Sequence, residues 1–178
     1  NNILDISKIE ARKVTLDEVD FDLHDLLRDV LSLFDLDAKR KGIGLELQRS
    51  VEVPQFVLAD AGKLRQILIN LVANGVKFTN RGQVLLSVSA LAIGTESAKL
   101  THRLRFAVRD TGEGIAPHEF ERLFIPFEQA AAGQVAKQGT GLGLSISQKY
   151  CQLIGGEISV RSTVGQGSAF EFEIPVRP

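Results

Sequence analysis

Apolar residues recur along the chain with two periods, and the changes from one period to the other outline a series of helices and strands. Ile3, Ile6 and Ile9 stand three apart with the charges of Asp5 and Lys8 between them, the pattern of an amphipathic helix end. After "KVTLDEVDF", Asp22 is placed as the N-cap of a helix through about Lys41. That helix turns Leu26, Leu27, Val30, Leu31 and Phe34 inward and stops at Gly42. Ile43, Leu45 and Leu47 alternate as a half-buried strand; Pro54 breaks the pattern, and "FVLA" reads as a short strand. Asp60 then caps a helix holding "ILINLVANGVKFTN", residues 67 to 80. Beyond the turn "NRG", "QVLLSVSAL" is a strand and "RLRFAVRD" its return, with "AIGTESAKLTH" as the hairpin connection. Regularity lapses from Thr111 until a helix begins near Gly141, and "EQAAAGQVAKQG" holds so little core material that it reads as a mobile loop. The helix "LGLSISQKYCQLI" stops at Gly155 and Gly156, and strands "EISVRS" and "SAFEFEIPV" flank the turn "TVGQG". This order predicts an α/β two-layer sandwich. It has a mixed, mostly antiparallel sheet with helices on one face, preceded by a short N-terminal helix remnant.

Composition narrows the possibilities without naming a function. The 178 residues are 44% apolar and 24% charged with formal net charge −1, which suits one domain with a real core and lacks the basic excess of a nucleic-acid binder. No apolar run reaches the roughly 18 residues of a membrane span, and no secretory signal is visible. Asn1 is not an initiator methionine, so the chain reads as a piece of a longer protein. Cys151, the single cysteine, falls in an apolar helical pattern and reads as a passive core thiol. His24, His102 and His118 lie far apart without ligand spacing, the pattern of surface histidines rather than a zinc site.

Three stretches carry candidate chemistry. At 100° per residue, Asn70, Asn74 and Lys77 fall within about 60° of one another, opposite Leu64, Leu68, Leu71 and Val72. Asparagine is a mediocre helix former, so two on one face need a reason. Amide oxygens suit magnesium and lysine suits phosphate, although a solvated helix face remains the alternative. "VRDTGEGIAP" sets Asp110 at a strand end before Gly112 and Gly114: either a tight turn, or a carboxylate able to accept from an exocyclic amine beside glycines that admit a flat ring. "QGTGLGLSIS" brings Gly139, Gly141 and Gly143 into a helix start, where free N–H groups can bind phosphate. It is neither a Walker loop nor a dinucleotide fingerprint.

In this order the motifs resemble the GHKL (Bergerat) ATP-binding fold, and more narrowly the catalytic ATP-binding domain of sensor histidine kinases. "DAGKLRQILINLVANGVKFTNRG" resembles that family's N box, "DTGEGI" its first glycine box, "FERLFIPFEQ" its F box and "GTGLGLSIS" its second glycine box; "STVGQGSAFEFEIP" is similar to its closing strands. The resemblance covers nearly all of residues 15 to 176. It implies a catalytic ATP-binding domain over 13–178 with a lid at about 128–140, and makes residues 1–12 the end of the second dimerisation helix. By motif position, Asn74 and Asn70 are implied as magnesium ligands, with Lys77 contacting phosphate and Asp110 binding the adenine amino group. Gly112 and Gly114 shape the ring pocket, Phe78 joins the nucleotide site, and Ile115 and Phe172 line the base. Gly139, Thr140, Gly141, Leu142, Gly143 and Leu144 wrap the phosphates, while Phe120, Phe124 and Phe127 are the F-box aromatics.

The implied activity is transfer of the ATP γ-phosphoryl group to a histidine, with ATP and Mg2+ bound in a cytoplasmic domain of a protein that can itself be membrane-anchored. The implied partners are an upstream histidine-containing dimerisation domain, a response-regulator receiver domain and a second copy of the full-length kinase. No phosphoacceptor segment accompanies the three histidines, so this chain alone is not expected to autophosphorylate. Related hydrolases of the gyrase, mismatch-repair and chaperone type carry a glutamate at the position of Asn70, which cannot act as a general base. A non-catalytic regulatory module is the other rival. Two departures from the family pattern stand out: Gly75 where alanine is usual, and Gln138 where glycine is common.

Overall fold

The computed structural model describes residues 2–11, 14–96, 99–128 and 139–178, with backbone only at 2, 92–96 and 99–101. The expected lid therefore lies mostly outside the described residues. The helix remnant is α1 (Asn2–Glu10), which lies against the C-terminal helix α5 (Gly143–Leu153) and leaves Ile3 and Leu4 more than half exposed. A five-stranded sheet runs β2 (Gly44–Arg49), β4 (Gln83–Glu96), β5 (Lys99–Asp110), β7 (Gly167–Val176), β6 (Ile158–Thr163) across its width. Only the β2–β4 pair is parallel, so the expectation of a mixed, mostly antiparallel sheet holds.

Alternation along the strands assigns the two faces of the sheet. Val84, Leu86, Val88, Leu104, Phe106, Val108, Phe170, Phe172 and Ile174 are buried under the helices α2 (Leu23–Ser32), α4 (Ala61–Phe78) and α5. The Phe106 and Phe172 rings stack across the β5–β7 pair with centroids 5.0 Å apart. The other face is polar. Arg105 pairs with Glu173 at 2.6 Å, and Glu171 sits between Arg109 at 3.0 Å and Arg161 at 2.6 Å. Burial alone would raise the Glu171 pKa, but the two guanidiniums outweigh it and hold the carboxyl below its usual range. Cys151 is fully buried, and burial first, then Glu157, pushes its thiol up to about 12: a core group, as its pattern implied.

Four local expectations change. The single helix expected over 22–41 is two, α2 and α3 (Asp35–Lys41), hinged at Leu33–Phe34. The bend lays α3 on β2 and brings Lys41 to the end of α4, contacts that no local periodicity encodes. The hairpin connection is much shorter than expected, because backbone pairing continues through Ile93↔His102 and Glu96↔Lys99. Residues 117–122 form a 3-10 helix inside the stretch expected to be irregular. Finally β1 (Val19–Asp22), a stretch not assigned to a strand from the sequence, pairs antiparallel with β3 (Phe56–Ala59) in a separate two-stranded sheet. His102 is also buried rather than superficial, facing the β7 end at Val176.

Candidate functional site

The site is built on α4, and α4 is anchored at both ends. Asp60 caps its N-terminus, accepting from the Lys63 N–H at 2.9 Å and from Lys63 Nζ at 2.6 Å, and also takes the Asp17 N–H at 2.9 Å. At the other end Lys41 Nζ donates to the carbonyls of Val76, Lys77 and Thr79 at 2.6, 2.7 and 3.2 Å. These are last-turn carbonyls that lack intrahelical partners, and a cation there also opposes the helix dipole. So fixed, α4 buries Leu64, Leu68, Leu71 and Val72 and turns its polar strip toward the end of β5 and the start of α5.

Along that strip the two asparagines are used differently. Asn70 Nδ2 donates to the Gly143 carbonyl at 3.0 Å and to Ser147 Oγ at 2.9 Å, while its Oδ1 accepts from Gln66 at 3.0 Å. Its amide ties α4 to the first turns of α5. Asn74, one turn on, is half-buried and its side chain takes no hydrogen bond among the described residues. Lys77 Nζ lies 4.9 Å over the Phe78 ring, and burial lowers its pKa from the usual lysine value.

Opposite the strip, Asp110 ends β5 between Val84 of β4 and Ser168 of β7. Burial raises its pKa, against the lowering effect of hydrogen bonds from the backbone N–H groups of Gly112 and Ser168. The glycines after it answer a space requirement. A Cβ at Gly112 would lie 2.4 Å from the Phe78 carbonyl oxygen, and one at Gly114, where φ is +74°, would lie 2.2 Å from the Thr163 carbonyl oxygen. The Asp110 loop is thus packed between the end of α4 and the β6–β7 turn. Thr111 Oγ1 accepts from the Gln83 N–H at 2.9 Å, holding the loop to the start of β4.

The glycine-rich segment enters α5 with no side-chain cap on its first turn, leaving N–H groups for an anion. Gly139 and Thr140 are exposed, and a Cβ at Gly143 would lie 3.7 Å from the Asn70 amide carbon. Leu142 is 0% exposed and Phe172 2%, so both side chains are packed in the core. Ile115 and Leu144 are half-buried against that core. Of the F-box aromatics, Phe120 and Phe124 are half-buried, whereas Phe127 is 65% exposed with φ +66° and its N–H donates to the Gly141 carbonyl at 3.0 Å.

Several contributors escaped the sequence reading: Lys41, Gln66, Ser147, Ser162 and Ser168. The two last carry a usable signal. They occupy inward-facing positions in strands whose other inward residues, Ile158, Val160, Phe170 and Phe172, are apolar.

A two-layer sandwich with an amide-and-lysine strip, a strand-end carboxylate and an uncapped glycine-rich helix start defines a GHKL-type nucleotide-binding domain. The family described as histidine kinase-, DNA gyrase B-, and HSP90-like ATPase matches residues 59–178, and the chain belongs to it. It is 40% identical over 177 residues to hybrid signal transduction histidine kinase B of Dictyostelium discoideum, spanning 98% of this chain and 9% of that protein. Full-length ShkA, solved in complex with AMPPNP, superposes with TM-score 0.81 and 37% identity over 99% of this chain and 35% of its own. The catalytic domain of histidine kinase ThkA superposes with TM-score 0.72 and 28% identity, covering 91% of this chain and 99% of that one. ThkA has also been solved in complex with the response regulator TrrA. The chain is therefore a histidine kinase ATPase domain, spanning a small part of the longer kinases it matches. Among the described residues no helix is long and apolar enough to cross a membrane.

Proposed function

We propose that this domain binds magnesium-ATP and presents its γ-phosphoryl group to a histidine imidazole supplied from outside residues 1–178. The observation that carries this reading is Asn74: a half-buried amide without a hydrogen-bond partner among the described residues, one turn from Lys77. A polar side chain is left unpaired in such a place only where something else completes it. Asn74 is the proposed protein ligand of the magnesium ion, which when bound neutralises phosphate charge. Asn70 can join it through the second lone pair of an oxygen that accepts from Gln66, while its Nδ2 positions the α5 start. Lys77 and the N–H groups at 143–145 face the phosphates, and Asp110 accepts from the adenine amine.

In the transfer the bond from Pγ to the bridging oxygen breaks, a P–N bond forms at the imidazole, and ADP departs. The domain contributes orientation and charge neutralisation, which is most of what phosphoryl transfer asks of a protein. Asn70 supports kinase over hydrolase, since an amide cannot activate water. None of the three histidines supports a role as acceptor. His24 is bonded to the Val53 carbonyl, His102 is buried in β5, and His118 lies on the 3-10 helix. The reading extends to a histidine-bearing dimerisation domain continuous with α1, a homodimeric full-length kinase, a cytoplasmic location and a response-regulator partner. The location of α1 against α5 and its exposed Ile3 and Leu4 support that placement.

The test is calorimetric titration with AMPPNP, with and without magnesium, against a guanine analogue. Magnesium-assisted binding that prefers adenine is the expected result. Equal binding of both bases would remove Asp110 from base recognition, and indifference to magnesium would remove Asn74 from the metal.

A further inference from the structure

Ser162 stands on the inward face of β6, at a half-buried position where its strand neighbours are apolar. Its hydroxyl meets three partners: the Ile115 N–H at 2.8 Å, the Gly167 carbonyl at 2.9 Å and Ser168 Oγ at 2.8 Å. A serine hydroxyl has one proton to give and two lone pairs. With the proton on the Gly167 carbonyl, the lone pairs accept from the Ile115 N–H and the Ser168 hydroxyl, and the capacity is filled. A half-buried hydroxyl used this fully is a connecting point rather than an incidental surface group.

The two segments it joins are the loop 110–115 and the hairpin turn 162–168. Other contacts follow the same seam. The Gly165 N–H donates to the Glu113 carbonyl at 2.7 Å, Asp110 pairs with Ser168 across the β5–β7 ladder, and a Cβ at Gly167 would lie 1.9 Å from the Asp110 carbonyl oxygen. All of these are backbone relations. Ser162 supplies the side-chain link of the seam, at the end of the loop that carries Ile115.

We infer that Ser162 is a positioning residue for base recognition: its hydroxyl holds the Asp110–Ile115 loop at the distance where the adenine ring is read. The inference rests on the magnesium-ATP reading above. Removing the hydroxyl takes away the partner of the Ile115 N–H and lets the loop drift from the hairpin. The phosphate groups, by contrast, face α4 and α5, which Ser162 does not touch. The loss is therefore selective for the base.

The test compares Ser162→Ala and Ser162→Thr with the unaltered chain, using AMPPNP with magnesium and inorganic tripolyphosphate with magnesium as probes. Ser162→Ala is expected to weaken AMPPNP about tenfold, the size of one or two lost hydrogen bonds, and to leave tripolyphosphate unchanged. Ser162→Thr, which keeps the hydroxyl, should retain AMPPNP binding. Exchange of the Ile115 amide hydrogen, which needs no nucleotide, should quicken at least about tenfold in the alanine variant alone. Unchanged AMPPNP affinity, equal loss of both probes, or an Ile115 amide that exchanges as before would each overturn the inference. If the unaltered chain ignored AMPPNP while Ile115 exchange still responded, the nucleotide reading would fall and the base-positioning role with it. The seam would remain as a structural contact only.

Discussion

Gly75 lies near the C-terminal end of α4, in its last turn, with its Cα turned toward β4. A methyl group added there would stand 3.0 Å from Val84 Cγ1, 3.4 Å from Val84 Cγ2 and 3.8 Å from Asp110 Cβ. Two effects then oppose each other in Gly75→Ala. Alanine is favoured over glycine inside a helix by about 1 kcal/mol. Against that, 3.0 Å is well inside the separation of about 3.5–4.0 Å at which carbon atoms attract, and overpacking a filled core costs about 1–3 kcal/mol. Val84 is 0% exposed on a strand paired on both sides, so it has little room to retreat. Overpacking wins, and Gly75→Ala should lower the unfolding free energy by about 1 kcal/mol. Val84→Ala alone should cost about 2 kcal/mol for the lost methyls and the cavity. In that background the same Gly75→Ala change meets open space and should stabilise by about 1 kcal/mol, a reversal of sign. The coupling between the two sites is then about 2 kcal/mol. Urea unfolding followed by circular dichroism, with matched slopes across the four proteins, measures it. If Gly75→Ala stabilises equally with valine and with alanine at 84, the contact is not limiting and the argument from volume is wrong. On this account the glycine that departs from the family's usual alanine is the counterpart of a large residue at 84.

Three further outcomes are expected. Asp60→Ala removes the α4 cap and leaves Lys63 Nζ, whose side chain is only 12% exposed, without its carboxylate; a loss of about 3 kcal/mol is expected, and less than about 1 would mean the pair is not structural. Burial is the largest single influence on the Asp60 pKa and raises it, but bonds from Asp17 and Lys63 outweigh it and the net shift is downward. Its contribution is therefore present above the unfolded value of about 3.9 and lost as pH falls through the folded value, so the gap between Asp60→Asn and the parent should close in acid. Asp110 shifts the other way, upward through burial. AMPPNP affinity should thus begin to fall at a pH above that of an ordinary carboxylate, and a flat profile down to about pH 4 would contradict the assignment. Asn74→Asp brings a negative charge toward the phosphates and should weaken magnesium-AMPPNP at least about tenfold; equal affinity would take Asn74 out of the metal site.

Much of this architecture is local and was legible along the chain. Helical and strand periods placed α4, α5 and β2 to β7, because a residue's neighbours on one face are set by spacing alone. Asp22 and Asp60 were recognisable as caps, since capping needs only the few residues that follow. Asn74, Asp110 and the glycines could be singled out because each is a poor choice for its element unless it serves a ligand or a close approach, and Lys77 because it shares the face of the two asparagines.

What escaped the chain is whatever depends on distant partners. The strand β1 exists because β3 offers it a ladder, and the break between α2 and α3 exists because Lys41 has the open end of α4 to reach. Asn70 and Asn74 are indistinguishable as letters on a helix face; only the approach of Gly143 and Ser147 commits the first and leaves the second open. Leu142 and Phe172 sit in motifs that point to the ligand, yet packing turns their side chains into the core. Ser162 joins loops separated by about fifty positions, and no spacing rule reaches that far. Sequence settles which residues share a face, because that follows from covalent geometry. Tertiary structure decides which polar groups are already satisfied, because a hydrogen bond needs a partner within about 3 Å whatever its place in the chain.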